Sequence, residues 1–417
     1  MKSQKKVLKQ IFILILFLFP ITVWGVELDI NSNNAILYNL NENTILYEKG
    51  KEEKTSIASL TKIMTAVVAM EKIEDLEKRV TLTWEDFKGL REMNAAQAGF
   101  RVGETVTYKD LLYGLLLPSG AEAAQALARL TYGSVPTFVE KMNEKAQVLN
   151  LTQTHFANTT GLDEEGHYSS VEDVAKLFQY ALKNEDFKTI ISAKTYTTSG
   201  GNHTFESTIQ KAIDAYHLEL PYLIGGKTGT TGDAGLCLAT IATYNNVNYL
   251  LVTVKAPYSK TNPGNYQDAK TIYEYFMNHY SYQKIVKKNE LLVRLKTKYC
   301  KEDNVIIKSK EEIEKYLENN IKKEDIRKEY EGIKEITSKM EKGTKLGVVK
   351  IYYQDTLLDT INITLEKKQE FSYKKYLFDH KLECLGILLI VLLVILLLVK
   401  WKNNKNKTIK NTKTAQI

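Results

Sequence analysis

Residues 55–66, Thr55-Ser56-Ile57-Ala58-Ser59-Leu60-Thr61-Lys62-Ile63-Met64-Thr65-Ala66, place a hydroxyl and an amine three positions apart at the head of an apolar-periodic segment. Ile63, Ala66, Val67 and Met70 recur at helical spacing, so a helix with a buried face is expected here. Residues at i and i+3 share a helix face, which brings the Lys62 amine within reach of the Ser59 hydroxyl. If burial keeps that amine neutral, it can take the serine proton without a histidine. Alone, S-x-x-K is common, and on a solvated helix it is only a serine and a lysine. Its meaning depends on the motifs downstream in the chain.

Two later segments supply that context: Pro118-Ser119-Gly120-Ala121, behind the apolar run Leu111 to Leu117, and Lys227-Thr228-Gly229-Thr230. S-x-x-K, then S-x-N, then K-T-G is the order of motifs in serine acyl-enzymes of the penicillin-recognising kind. Together, Ala58 to Thr65, Leu111 to Gly120 and Gly226 to Thr231 resemble the D-alanyl-D-alanine carboxypeptidases among the low-molecular-mass penicillin-binding proteins. One position departs from that pattern. Ala121 stands where the family usually has Asn, so a side-chain amide that helps hold substrate and lysine is missing, and Glu122 with a water is the nearest substitute.

The resemblance implies an α/β (α+β) fold: a β-lactamase/transpeptidase-like catalytic domain with an antiparallel sheet flanked by helices, then a small β-rich domain and a C-terminal transmembrane helix. It implies a serine-type D-Ala-D-Ala carboxypeptidase that removes the terminal D-alanine from peptidoglycan stem pentapeptides through an acyl-enzyme on Ser59. In that scheme Ser59 is the nucleophile, Lys62 the base and Ser119 the relay to the leaving amine. Lys227, Thr228, Gly229 and Thr230 bind substrate, with Gly229 small so that the substrate backbone can approach. The backbone amides of Ser59 and Thr230 form the oxyanion hole. The implied partners are the peptidoglycan stem peptide, β-lactam antibiotics and the cell membrane; no cofactor is implied. Two alternatives belong to other classes. A class A-like β-lactamase needs a deacylating Glu in the loop 156–170, where Glu164 and Glu165 stand in a different context. A catalytically weak wall-binding homologue is the reading that Ala121 suggests.

Local patterns fill in the catalytic region, expected over residues 26–282. Ala35-Ile36-Leu37-Tyr38 and Thr44-Ile45-Leu46-Tyr47 read as a hairpin ahead of the Ser59 helix. Thr107 with Asp110 reads as a capping box, Ser134 and Ser170 as helix caps, and Pro118-Ser119-Gly120 as a helix break. Leu236 to Ala242 and Tyr249 to Val254 flank Asn245-Asn246 as a second hairpin, and Asp268 to Tyr280 reads as a closing helix. Residues 283–370 carry short strand-like runs for the β-rich domain, with the charged stretch Lys308 to Lys342 expected as solvated surface holding helical turns.

The ends of the chain account for its basic balance. Lys2, Lys5, Lys6 and Lys9 precede the mostly apolar run Ile11 to Val23, which is expected to be a signal peptide over 1–25. Residues 371–384 are expected as a stalk, 385–401 as the transmembrane anchor and 402–417 as a basic cytoplasmic tail. The formal net charge is +7, yet 1–25 and 400–417 contribute ten lysines and no acid, so the remainder is mildly acidic. That distribution excludes a patterned nucleic-acid-binding face. Cys237, Cys300 and Cys384 are too few and scattered for a disulfide framework, and the six histidines show no metal-ligand spacing.

Overall fold

The computed structural model describes residues 26–259 and 261–414, with side chains to residue 404. The expected signal peptide and most of the expected basic tail lie outside the described side chains. The chain divides into two compact units between Asn278 and His279.

The first unit is organised on a five-stranded sheet of β1 (Asn34–Asn39), β2 (Thr44–Lys49), β3 (Leu223–Thr231), β4 (Gly235–Tyr244) and β5 (Val247–Ala256). Its order is β2-β1-β5-β4-β3, every neighbour antiparallel. The two hairpins read from sequence are both present. The β4–β5 turn is formed by Asn245 and Asn246, both at left-handed φ of 47° and 64°, as a tight two-residue hairpin turn demands. Pairing of β1 with β5 joins the two ends of the unit, and Asp268 fastens them. Its carboxylate accepts from the amides of Asn31 and Ser32, both at 2.7 Å, and from their side chains.

Between β2 and β3 runs the helical insertion: α1 (Lys62–Lys72), α2 (Tyr108–Leu116), α3 (Ala121–Tyr132), α4 (Val135–Val148), α5 (Val171–Ala181), α6 (Glu185–Ser192) and α7 (Thr208–Tyr216). The caps are those read from the sequence: Thr107 and Asp110 close a capping box on α2, Ser134 accepts from the Thr137 amide, and Ser170 accepts from the Asp173 amide. α1 is buried on nearly all sides over Lys62–Ala69, since it lies between the other helices and the sheet. Each large apolar side chain fully buried this way stabilises the unit by roughly 1.5–3 kcal/mol. Alternate strand residues Ile36, Ala239 and Val252 enter the same core, while Leu37, Leu238 and Leu251 between them are also buried, so both sheet faces are covered. α8 (Gly264–His279) packs where Tyr273 meets Thr240 at 2.9 Å. It begins four residues before the expected Asp268, directly after Pro263.

The second unit holds three small sheets around Val286, Leu295, Ile336, Leu346, Val349, Ile351 and Ile363. The strands expected near 291, 304, 347 and 359 are found as Leu291–Lys298, Asn304–Lys308, Lys345–Tyr353 and Thr356–Thr364. One expectation needs correction. Lys308 to Lys342 holds the strands Ile313–Glu318, Ile326–Gly332 and Glu335–Thr337 with only one short 3-10 turn at Lys323–Asp325. Its many charges occupy the solvent side, whereas Tyr316 and Ile336 face inward. The segment expected as a stalk is helical: α9 (Tyr373–Asp379) packs its Tyr376 ring 5.1 Å from Tyr299, and α10 (Lys381–Thr414) begins two residues later. Within α10, Lys381–Asn404 is one helix long and apolar enough to cross a membrane.

Candidate active site

Ser59 sits in a 3-10 turn, Ala58–Thr61, that leads into α1, so the hydroxyl and the amine straddle the junction of two helix types instead of sharing one α-helix. Reach is preserved: Lys62 Nζ stands 2.9 Å from Ser59 Oγ. Its second contact is the Thr160 carbonyl at 2.6 Å. As a neutral amine, Lys62 can donate to that carbonyl while its lone pair faces the serine proton. Lys62 is only 2 % exposed, and burial lowers its pKa from 10.5 to about 7, against an opposing pull from the Glu122 carboxylate.

Ser119 follows the end of α2 with φ of +69°, a left-handed conformation unusual for a residue bearing a Cβ. Closure of the α2 end onto the Gly120 amide, which donates to the Gly114 carbonyl at 2.8 Å, holds the bend. Ser119 is thereby projected off the helix axis to accept from Lys227 Nζ at 2.9 Å. Lys227 is fully buried and also donates to its neighbour's carbonyl, Thr228 O, at 2.9 Å. Burial pushes its pKa well below the ordinary lysine value, and the Lys62 charge pushes in the same direction. The two lysine–serine pairs thus form one polar cluster at the edge strand β3.

Thr228 and Thr230 lie on β3 beside it; Thr228 Oγ1 donates to Thr208 Oγ1 at 2.7 Å, and Thr230 Oγ1 to the Gly229 carbonyl at 2.8 Å. The structure adds a reason for glycine at 229 to the one expected. A Cβ there would meet Ala58 Cβ and Ser59 N, each at 2.9 Å, so the serine turn, packed on β3, also demands glycine. Gly161 presses on the same turn. With φ of +81° its Cβ would lie 2.0 Å from the Ala58 carbonyl oxygen.

Ala121 is the buried first residue of α3, and its amide donates to Ala96 O at 2.8 Å. Glu122 divides its two oxygens: Oε2 is buried with no hydrogen-bond partner among the described residues, and the carboxylate lies close enough to Lys62 to pull its pKa upward. Its carboxylate is buried and Oε1 accepts from the Gly99 amide at 2.8 Å, fastening residues 96–100 to α3. Burial raises the Glu122 pKa, with the amides beside it pulling the other way. Glu164 is likewise engaged, accepting from Asn158 Nδ2 at 2.8 Å inside its own loop, and Glu165 is exposed. Among the described residues no cluster of His, Cys, Asp or Glu is suited to a metal ion.

One buried polar residue at this site is not singled out by the sequence. His167, 6 % exposed, reaches Thr61 Oγ1 at 2.8 Å, directly beneath the serine turn. In the sequence it is one of six scattered histidines; only the folding of the loop 157–167 over α1 brings it there. That loop is further tied by Thr65 Oγ1 donating to Thr159 O at 2.7 Å, and by Thr231 Oγ1 donating to Asp163 at 2.6 Å.

The D-alanyl-D-alanine carboxypeptidase family model matches residues 22–258, and the C-terminal domain of penicillin-binding protein 5 matches 280–370. The chain belongs to the D-alanyl-D-alanine carboxypeptidase family. D-alanyl-D-alanine carboxypeptidase DacF of Bacillus subtilis is 30% identical, over 78% of this chain and 82% of that protein. The crystal structure of the Streptomyces K15 DD-transpeptidase shares 31% identity with a TM-score of 0.54, covering 60% of this chain and 98% of its own. Penicillin binding protein 5 from Haemophilus influenzae extends the shared fold to 83% of this chain and 99% of its own, at 23% identity and a TM-score of 0.62. Membership of this carboxypeptidase family makes the protein a serine hydrolase of the D-Ala-D-Ala carboxypeptidase type.

Proposed function

We propose that Ser59 is the acylated residue of this carboxypeptidase, with Lys62 as its base and Ser119 as the relay to the leaving group. The observation that carries this reading is the Lys62 amine, buried and 2.9 Å from Ser59 Oγ with its pKa lowered to about 7, where a free base is abundant. Ser59 Oγ attacks the carbonyl of the penultimate D-alanine while its proton passes to Lys62 Nζ. The C–N bond breaks as Ser119 gives its proton to the departing D-alanine amine, and the proton held on Lys62 resupplies the relay. Water then attacks the ester, its proton returning to Ser59, and the shortened peptide leaves.

Lys227 couples this chemistry to a C-terminal carboxylate. Buried beside Lys62, its ammonium is disfavoured while it lacks a counter-charge. A substrate carboxylate at the β3 edge, met by the Thr228 and Thr230 hydroxyls, supplies the counter-charge that favours Lys227 as a cation, so the matching substrate creates its own electrostatic partner. The β-lactam carboxylate fits the same place. The helix Lys381–Asn404 supports a single-pass anchor. With Lys400 and Lys402 at its distal end, the positive-inside rule sets the catalytic unit on the outer face, where peptidoglycan lies.

The test is D-alanine release from a stem pentapeptide by the full-length protein in detergent, with mass spectrometry after penicillin exposure. One adduct on Ser59, absent in Ser59→Ala, is expected together with release. A wild type that neither releases D-alanine nor acquires the adduct would refute the assignment.

A further inference from the structure

The loop 157–167 does more than cover α1. The Ala157 amide donates to His167 Nδ1 at 3.1 Å, so that ring nitrogen is an acceptor and the proton must reside on Nε2. On the other side, Thr61 Oγ1 donates its single proton to the Ala58 carbonyl at 2.9 Å, which leaves it an acceptor toward Nε2–H at 2.8 Å. Both ends of the ring therefore demand the same tautomer. The result is one directional chain: Ala157 N–H to imidazole, imidazole N–H to Thr61, and Thr61 O–H to Ala58 C=O.

The last acceptor matters because Ala58 directly precedes the nucleophile and has φ of +47°, in the left-handed region that a residue with a Cβ avoids. A backbone held there is strained and needs neighbours that over-determine it. Gly161 and Gly229 clamp the turn by contact alone. The hydroxyl of Thr61 supplies the directional bond, and His167 aims that hydroxyl.

We propose that His167 is a positioning residue for acylation: through Thr61 it fixes the Ala58 peptide and thereby the direction in which Ser59 Oγ is presented. The proposal rests on Ser59 as the acylated residue. The neutral ring is stable in this role because burial lowers its pKa to about 4, although Glu164 and Asp163 pull it upward; His155 pushes the same way as burial, and the packed Phe156 ring carries no charge. The ring's hydrogen bonds go to the Ala157 amide and Thr61 Oγ1. It acts at one remove, on geometry.

The experiment follows acylation of the full-length protein in detergent by a fluorescent penicillin, separating the rate at saturation from the concentration dependence. Thr61→Val keeps the side-chain shape and removes the hydroxyl. It is expected to slow saturated acylation roughly tenfold with little change in half-saturation, while Thr61→Ser restores the rate to within about twofold. His167→Gln is expected to slow acylation similarly. The double variant His167→Gln/Thr61→Val should be no slower than the worse single, because both break one chain. Thr61→Val at wild-type rate, or losses that multiply in the double variant, would overturn the proposal. Nitrogen-15 NMR of the imidazoles gives a second readout independent of turnover: a His167 ring protonated at Nδ1 and not at Nε2 overturns it as well. A wild type that is never acylated at Ser59 would instead sink the underlying assignment.

Discussion

Acylation should carry the titration of one buried amine. An ordinary lysine, with pKa 10.5, is unprotonated in about one molecule in 3000 at pH 7, whereas Lys62, lowered to about 7, is unprotonated in about half. Burial therefore enriches the competent base by roughly a thousandfold, equivalent to about 5 kcal/mol of differential solvation at 1.36 kcal/mol per unit. The sign is set by desolvation of the charged form: below the shifted value the amine is an ammonium and cannot accept the Ser59 proton. The second-order rate of penicillin acylation, measured from about pH 5 to 9, should rise with unit slope on the acid side, bend near 7 and be level by about 8. Glu122 supplies an internal control. Its carboxylate raises the Lys62 pKa, so Glu122→Gln should move the bend to lower pH. A rate independent of pH across this range, or one still climbing toward 10, would refute Lys62 as the base.

Two further outcomes are expected from the same geometry. His167 binds a proton at about 4 in the fold and at about 6.5 when unfolded, so between these values the unfolded state binds more protons and stability rises with pH. Its contribution is present above pH 6.5 and is lost as the pH falls through 4, by about 3 kcal/mol in all; urea midpoints of wild type and His167→Gln compared from about pH 4 to 7 should converge at the acid end. Gly161→Ala places a Cβ 2.0 Å from the Ala58 carbonyl oxygen at φ of +81°, and should cost about 2 kcal/mol or more while abolishing penicillin acylation, read by thermal melting and adduct mass.

Elements defined by local chemistry are legible in the sequence. The capping box of Thr107 and Asp110, the caps Ser134 and Ser170 and the Asn245-Asn246 turn all act within three residues of themselves, so their meaning is carried by spacing. The charged stretch 308–342 misleads because its strands bury one side only, and charge count does not reveal which side faces a partner sheet. Gly229 shows a subtler limit. That glycine is required can be read from the motif, but the contact with Ala58 and Ser59 that also demands it comes from a turn remote in the chain.

The sequence by itself determined the chemical inventory and its order: a serine with a lysine three residues on, a serine at a helix break, and a lysine on a Gly-flanked strand, with an apolar helix at the far end. Those are facts of covalent spacing, since i,i+3 contact, turn residues and apolar run length need nothing distant. Tertiary structure alone decided the rest. Whether Lys62 is a base depends on how completely the core removes it from water, and burial is a property of every element packed around α1. Whether Ser59 points correctly depends on Gly161, Gly229 and His167, residues about a hundred or more positions away along the chain. Desolvation and over-determined backbone geometry are collective effects, and a linear chain expresses them only after it has closed on itself.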